Sequence, residues 1–370
     1  MKVEPHPSLV AFSHDIFTAQ IAGGVTRCMI ELMRALTECG EGWSAWAGRN
    51  GNAMLRETLA EPWAATRISS TDSHPRGRVL ASIMEEPGFA RWMRQQQPAV
   101  LHRTYYPVRD MLGRSFRRVE TLHDLWDERS DLRHDRGAPL RSFLKKRACH
   151  RADAVVCVSE HTRDEAIARW PELAGRISVI PHGVRPLSHA PEPAGVDRPY
   201  FLFVGRRGLY KNFAVAAAAL AHSGLHDHQL LCFGGDAFSV EERSSLAQLG
   251  LADRVVQVSG TDDRLAGLYA GASALLYPSA FEGFGLPLLE AMVHDCPVIA
   301  APLTSLPEVG GDAVVYADPA RPDAWSEAMR AIVENDDYAA TLRDRGRRRA
   351  AAFSWARSAK RHAELYRQLQ

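Results

Sequence analysis

ASALLYPSAFEGFGLPLLEAMVHDCPVIAAP, residues 272–302, holds two short apolar runs separated by a segment of another kind. Residues 272–279 and 296–302 show little polar alternation, the pattern of strands buried on both faces of a parallel sheet. Between them, residues 286–294 suit a helix. Pro287 fits its first turn, where a missing N–H leaves nothing unpaired. Strand, helix, strand is the repeating unit of a doubly wound α/β domain.

The same rhythm extends outward. PYFLFVG (199–205), HQLLCFGG (228–235), RVVQVSG (254–260) and AVVYADP (313–319) are further expected strands. Residues 212–222, 240–249 and 263–271 are the expected helices between them. The first half repeats the scheme more faintly, with strands in LVAF, AVLHR, RVETLHD, ADAVVCVSE and ISVIPHG. Its helices are expected at 25–37, 78–96, 140–151 and 160–169. Residues 184–200, VRPLSHAPEPAGVDRPY, hold four prolines and read as an interdomain linker. Residues 353–370 read as a terminal helix. Two Rossmann-like α/β halves with a cleft between them are the expected architecture, with ligands beyond the carboxyl ends of the strands.

Bulk properties narrow the function. A chain of 370 residues has room for two domains, and 46% hydrophobic with 24% charged residues is an ordinary globular balance. The net charge of +1 gives no general case for nucleic acid or for an acidic partner. Residues 101–151 are locally basic, with 13 Lys and Arg against 7 Asp and Glu. The six cysteines form no C-x-x-C pair and read as buried thiols, so a cytoplasmic location is expected. MKVEPHPSLVAFSHD lacks the apolar core of a signal peptide, and no apolar run is long enough to span a bilayer. No D-x-D triplet and no His/Cys cluster with metal-ligand spacing occurs, so neither a metal nor a cofactor is expected.

Residues 281–285 form a loop at a strand's carboxyl end. The N–H groups of Gly285, Leu286 and Leu288 are expected to point out of the helix start and, with the helix dipole, to make an anion site suited to phosphate. Gly283 and Gly285 allow close approach of a ligand to the backbone. Glu282 stands before this site and Glu290 one turn inside the helix. A carboxylate accepts hydrogen bonds from two neighbouring hydroxyls, as on a ribose or a hexose. Dipole-favoured glutamates at an ordinary helix start are the plainer reading of the same spacing. In VGRRGLYKN, Arg206 and Lys211 flank another strand-to-helix junction, where fixed cations would stabilise charge developing on a leaving diphosphate. A solvated basic turn is the alternative. Gly23 and Gly24, in IAGGVTR, open a helix in the first half. ETLHDLWD puts His123 and Asp124 at a strand end, and Ser159 of VSEHT suits the cap of the following helix.

EGFGLPLLE resembles the E-x7-E motif of the retaining GT-B glycosyltransferases, family 4 in particular. VETLHDL, VSEHT, VIPHGV, VGRRGLYKN, SLPEVGGDA and the terminal FSW helix match further patterns of that family in order, over almost the whole chain. The resemblance implies an acceptor-binding domain at 1–190, a nucleotide-sugar-binding domain at 191–352, and a terminal helix, 353–370, packed back on the first. It implies that Glu290 holds the ribose, that Glu282 with the N–H groups of Gly283, Phe284 and Gly285 holds the hexose, and that Leu286 is a further donor-binding residue. Arg206 and Lys211 would take the diphosphate. His123 would contact the sugar, and the loop of Gly23 and Gly24 would face the sugar and its phosphate. Base recognition is expected near Gly234-Gly235 and Gly260-Thr261. The anomeric configuration would be kept without a metal. The loop variants look most like the branch that moves mannose from GDP-mannose to a glycan or polyprenyl-linked acceptor in polysaccharide biosynthesis. A sugar-nucleotide epimerase and a non-catalytic sugar-nucleotide-binding partner of a synthase complex are the alternatives. LRSFLKKRACHR (140–151) reads either as a contact for an anionic membrane, which would place the protein at the inner face of the cell membrane, or as a half-buried helix with a solvated basic face.

Overall fold

Short runs of Val, Leu and Ala form the central strands, which are buried on both faces. The computed structural model describes residues 10–72, 78–113, 115–129, 137–187, 191–192 and 194–370. Among these residues the chain divides into two units, Met1–Gly183 with Trp355–Gln370, and Val184–Ser354. The first holds β1 (Val10–Phe12), β2 (Trp43–Asn50), β3 (Ile68–Asp72), β4 (Val100–Arg103), β5 (Arg117–Leu122), β6 (Ala154–Cys157) and β7 (Ile177–Val179). The second holds β8 (Tyr200–Val204), β9 (Gln229–Phe233), β10 (Val255–Val258), β11 (Ala274–Tyr277), β12 (Val298–Ala300) and β13 (Val314–Tyr316).

The sheet orders are β3-β2-β1-β4-β5-β6-β7 and β10-β9-β8-β11-β12-β13. Every pairing is parallel. Each order runs outward from its first strand and then restarts on the other side. The reversals lie between β1 and β4 and between β8 and β11, and such switch points open crevices at the carboxyl edge.

β2 and β3 were not among the expected strands. WSAWAGRN alternates buried and partly buried residues instead of forming an apolar run, and its register against β3 shifts between Trp46 and Gly48. ISSTD is largely polar. The proline-rich stretch expected as a linker counts with the second unit because hydrogen bonds hold it there. Val184 N–H donates to Phe353 O (2.9 Å), Leu187 N–H to His294 Nε2 (3.2 Å) and Glu192 N–H to Asp263 O (3.1 Å). Residues 188–190 and 193 of that stretch, and the N-terminal residues 1–9, lie outside the described residues. The helix Trp355–Gln368 belongs to the first unit and packs along the helix Gly24–Glu38.

In the first unit the switch point is filled by the protein's own charges. Arg103, 1% exposed at the end of β4, reaches Asp15 (3.1 Å), Glu86 (3.0 Å) and Asp110 (3.0 Å). Thr104 N–H donates to Ser13 Oγ (3.0 Å), and Ser13 Oγ donates to Asp15 (2.5 Å), so the ends of β1 and β4 are tied together. Burial pushes the Glu86 carboxyl up, but the His14 hydrogen bond and Arg103 outweigh it and hold the group down to about 2.

Removing one member of such a buried network leaves uncompensated charge. Arg103→Met is expected to cost about 3–5 kcal/mol in urea unfolding. Arg49→Met, which breaks a pair whose arginine is half exposed, is expected to cost less than about 1 kcal/mol.

Candidate active site

The switch point of the second unit is built differently. The loop after β8 and the loop after β11 are stitched side by side. Ala280 N–H donates to Tyr210 O (2.7 Å), and the Asn212 side chain donates to Pro278 O (3.0 Å). Asn212 adopts a left-handed conformation (φ 50°), which a short polar side chain tolerates well. Lys211, beside it, sends Nζ to Glu282 Oε1 (2.5 Å) and to the Tyr277 hydroxyl (2.9 Å). That hydroxyl also hydrogen-bonds Glu282, and burial followed by the nearby carboxylate drives it well above the usual phenol range. Lys211, Tyr277 and Glu282 therefore form a closed triangle. One of the three ammonium hydrogens of Lys211 is left over, as are acceptor positions on Glu282.

The Glu282 loop is also fixed through its backbone. Glu282 N–H donates to Thr304 Oγ1 (3.0 Å), and Ser305 Oγ donates to Glu282 O (2.9 Å) and Phe284 O (3.0 Å). Gly285 caps the helix Leu286–Val293 with φ 102°. A Cβ there would stand 2.7 Å from Leu306 Cδ2, so glycine is required on both counts. Of the three N–H groups expected to face a ligand, that of Leu288 is used inside the turn, donating to Gly285 O (3.0 Å). Gly285 and Leu286 remain at the open end of the helix. Glu290 is buried on this helix and accepts from the Tyr269 hydroxyl (3.2 Å), whose ring stacks on His294. Glu282 thus pairs with Lys211, while Glu290 meets Tyr269.

Neighbouring arginines divide their tasks. Arg206 is exposed, with Asp236 at 3.7 Å. Arg207 is held by Glu242 (2.9 Å), Gln257 and Asp236 O, over the Phe238 ring. Gly235 (φ 78°) lies against Arg206, with room for a Cβ only 3.3 Å from its Cα. Gly260 precedes the Thr261 cap of the helix Asp262–Gly271.

In the first unit, His123 follows β5 and is 8% exposed. Its Nε2 is buried without a hydrogen-bond partner among the described residues. Burial holds its pKa down to about 4, against the opposing pull of Asp124. Asp124 accepts from Trp126 N–H (3.0 Å) and Lys145 Nζ (3.4 Å). Gly23 and Gly24 open the helix Gly24–Glu38, where Gln20 Oε1 accepts from the Thr26 hydroxyl (3.1 Å). Ser159 caps the helix Glu160–Arg169 by accepting from Thr162 N–H (3.0 Å).

The expected basic face of residues 140–151 is weaker than its composition implies. Lys145 is buried against Glu128 (2.9 Å), Asp124 and Asp127, while Arg141 pairs with Asp127 (2.6 Å). Arg147 donates to the carbonyls of Pro107 and Val108. Lys146 and Arg151 are exposed, with Leu140 and Phe143. No helix among the described residues is long and apolar enough to cross a membrane, and no group of three or more His, Cys, Asp or Glu there is placed to hold a metal.

Sequence reasoning did not single out Tyr277, Thr304 or Ser305. Tyr277 had a signal, as a hydroxyl-bearing ring at the end of an apolar strand. Thr304 and Ser305 had none, since their role depends on β12 lying beside β11.

A family model described as "Glycosyl transferases group 1" matches residues 184–349, and one described as "Glycosyltransferase Family 4" matches residues 22–186. The chain is 46% identical over 94 residues to O-antigen chain mannosyltransferase B of Escherichia coli, a match spanning 25% of each protein. It is 30% identical over 262 residues to alpha-maltose-1-phosphate synthase of Mycolicibacterium smegmatis, covering 63% of this chain and 67% of that one. The structure of sucrose-phosphate synthase from Thermosynechococcus elongatus aligns with a TM-score of 0.77 at 23% identity, covering 98% of this chain and 99% of that one. That likeness identifies the fold as GT-B, with two Rossmann-like units.

Burial keeps His102, His123, His182 and His362 below the ordinary histidine value, His123 and His362 at about 4. Once unfolded they titrate near 6.5, so between about pH 6.5 and 4 the unfolded chain binds more protons than the folded one. Stability is therefore expected to fall as pH drops below about 6.5, by up to about 1.4 kcal/mol per unit for each histidine. Urea midpoints across this range check it, and His362→Gln should make the decline shallower.

Proposed function

The chain belongs to the family 4 glycosyltransferases, and from that premise we propose that it moves a hexose from a nucleotide diphosphate sugar to a glycan or lipid-linked acceptor with retention at the anomeric carbon. The observation that carries this reading is the Lys211–Tyr277–Glu282 triangle set at the mouth of the helix Leu286–Val293. A diphosphate at that mouth meets the helix dipole and the spare hydrogen of Lys211. Arg206, exposed on the neighbouring loop, supplies a second cation. Glu282, already oriented by Lys211 and Tyr277, accepts from the hexose hydroxyls, and Glu290 takes the ribose. His123 acts on the transferred sugar from the first unit, with Gly23 and Gly24 as further donor contacts.

In this mechanism the charge growing on the leaving diphosphate is met by groups fixed beforehand, so little reorganisation is needed as the glycosidic bond breaks. The leaving phosphate itself takes the acceptor proton. The diphosphate charge is carried by Arg206, Lys211 and the helix start, so turnover is expected to persist in EDTA. Mannose from GDP-mannose is our assignment of the donor. It is supported by the resemblance of the loops and by the E. coli mannosyltransferase among the relatives. Gly235 and Gly260 border the proposed base site. For a lipid-linked acceptor, the exposed Leu140 and Phe143 with Lys146 and Arg151 offer a modest contact for an anionic membrane.

A thermal-shift series with GDP, UDP, ADP and TDP, each alone and with its sugars, tests the donor. A ligand at a hundred times its dissociation constant should add about 2.7 kcal/mol of stability, and no shift with any of them would overturn the assignment. Arg206→Ala is expected to lower turnover roughly a hundredfold. Glu290→Gln should weaken donor binding, and unchanged binding would refute the ribose role.

A further inference from the structure

His123 is a buried imidazole whose Nε2 has no hydrogen bond among the described residues to fix it. Its ring packs on a second imidazole. His182 lies 5.8 Å from His123, centroid to centroid, with the planes 25° apart. Trp355 lies 5.7 Å from His182 on a ring tilted by 40°. Both rings are buried, His182 at 8% and Trp355 at 5% exposed.

Their places in the chain are unusual. The chain leaves the first unit after Gly183 and re-enters it at Trp355. His182 therefore immediately precedes the last residue before one crossing, and Trp355 is the first residue after the other. Just beyond, Val184 N–H donates to Phe353 O (2.9 Å) and Val184 bridges Ser354, so the two crossing segments are pinned together. Trp355 also opens the helix Trp355–Gln368. Further along that helix, the Tyr366 hydroxyl meets His102 Nδ1 (2.7 Å), and His102 Nε2 meets Thr121 Oγ1 (2.8 Å). Thr121 stands on β5, two residues before His123. The terminal helix thus grips β5 at two points, through His102 at Thr121 and through His182 at His123. A void of only about 10 Å³ is bordered by Thr121, His182, Trp355 and His362, so these side chains are closely packed.

We infer that His182 and Trp355 are positioning residues for His123, a two-ring support anchored where the chain crosses between the units, and that they fix the orientation of its imidazole ring. This rests on the reading of His123 given above. Misplacing a group at the reacting centre by about an ångström costs up to roughly a hundredfold in rate. His182 and Trp355 should therefore act on the chemical step and not on donor binding.

The test uses full-length protein with GDP-mannose, or with the nucleotide sugar that replaces it in the thermal-shift series. Trp355→Leu and His182→Ala are expected to lower kcat roughly ten- to hundredfold, with the donor KM and the shift produced by the nucleoside diphosphate nearly unchanged. Trp355→Phe, which keeps a ring, should recover most of the lost rate. In the His123→Ala background, Trp355→Leu should cost little more. The His123 ring Cε1–H resonance, assigned by its loss in His123→Ala, should move in Trp355→Leu and in His182→Ala. An unmoved resonance would overturn the inference, as would an equal loss of kcat with and without His123. If His123→Ala itself leaves kcat unchanged, the role given to His123 falls and takes the inference with it. If His123→Ala lowers kcat and the ring variants do not, the inference alone fails.

Discussion

β11 is hydrogen-bonded between β8 and β12, parallel to both, with Ala274 opposite Phe201 and Tyr277 opposite Ala300. Parallel strands all deliver their chains to the same edge. The loops carrying Lys211, Glu282 and Thr304 therefore leave side by side, although they are far apart in sequence. Everything at the candidate site follows from that adjacency. Tyr277, the last residue of β11, lies under both Lys211 and Glu282. Thr304 and Ser305, beyond β12, clamp the Glu282 loop from the other side. The ion pair is short and its two side chains are mostly buried, so both are held in one orientation. An isolated surface pair stays mobile, because fixing it costs side-chain entropy.

The two units apply the same topology to different ends. In the second, the crevice at the switch point carries a lysine with hydrogen-bonding capacity to spare. In the first, the corresponding place between β1 and β4 is closed by Arg103, Asp15, Glu86 and Asp110. Burying four charges is a doubtful route to stability, because desolvation offsets most of their attraction. It does hold the ends of β1 and β4 in one arrangement. The residue given a role in the reaction, His123, stands at the end of β5, beside the plugged crevice and not in it.

Histidine is used in the first unit mainly as a neutral ring. His102, His182 and His362 are buried against aromatic partners, and His123 shares that environment while its Nε2 has no hydrogen-bond partner among the described residues. A histidine count in the sequence cannot separate such residues from surface ones. The separation comes from the terminal helix, which returns to the first unit and brings Trp355, His362 and Tyr366 to strands lying far away in the chain.

The sequence by itself determined the parallel α/β class, most strands, the capping role of Ser159 and the special character of residues 279–292. Each of these depends on local periodicity or on a residue's own backbone preferences, as with Gly285 and Pro287. The edge strand β3 and its neighbour β2 escaped because neither forms a continuous apolar run. Lys145 read as part of a basic surface because its partners, Asp124, Asp127 and Glu128, lie on another segment. Arg206 and Arg207 are alike as letters, and only the packing of Glu242, Gln257 and Phe238 decides which one is occupied. Tertiary structure alone settled these points, because whether a charge is buried, paired or left for a ligand depends on which segments the fold brings within hydrogen-bond reach.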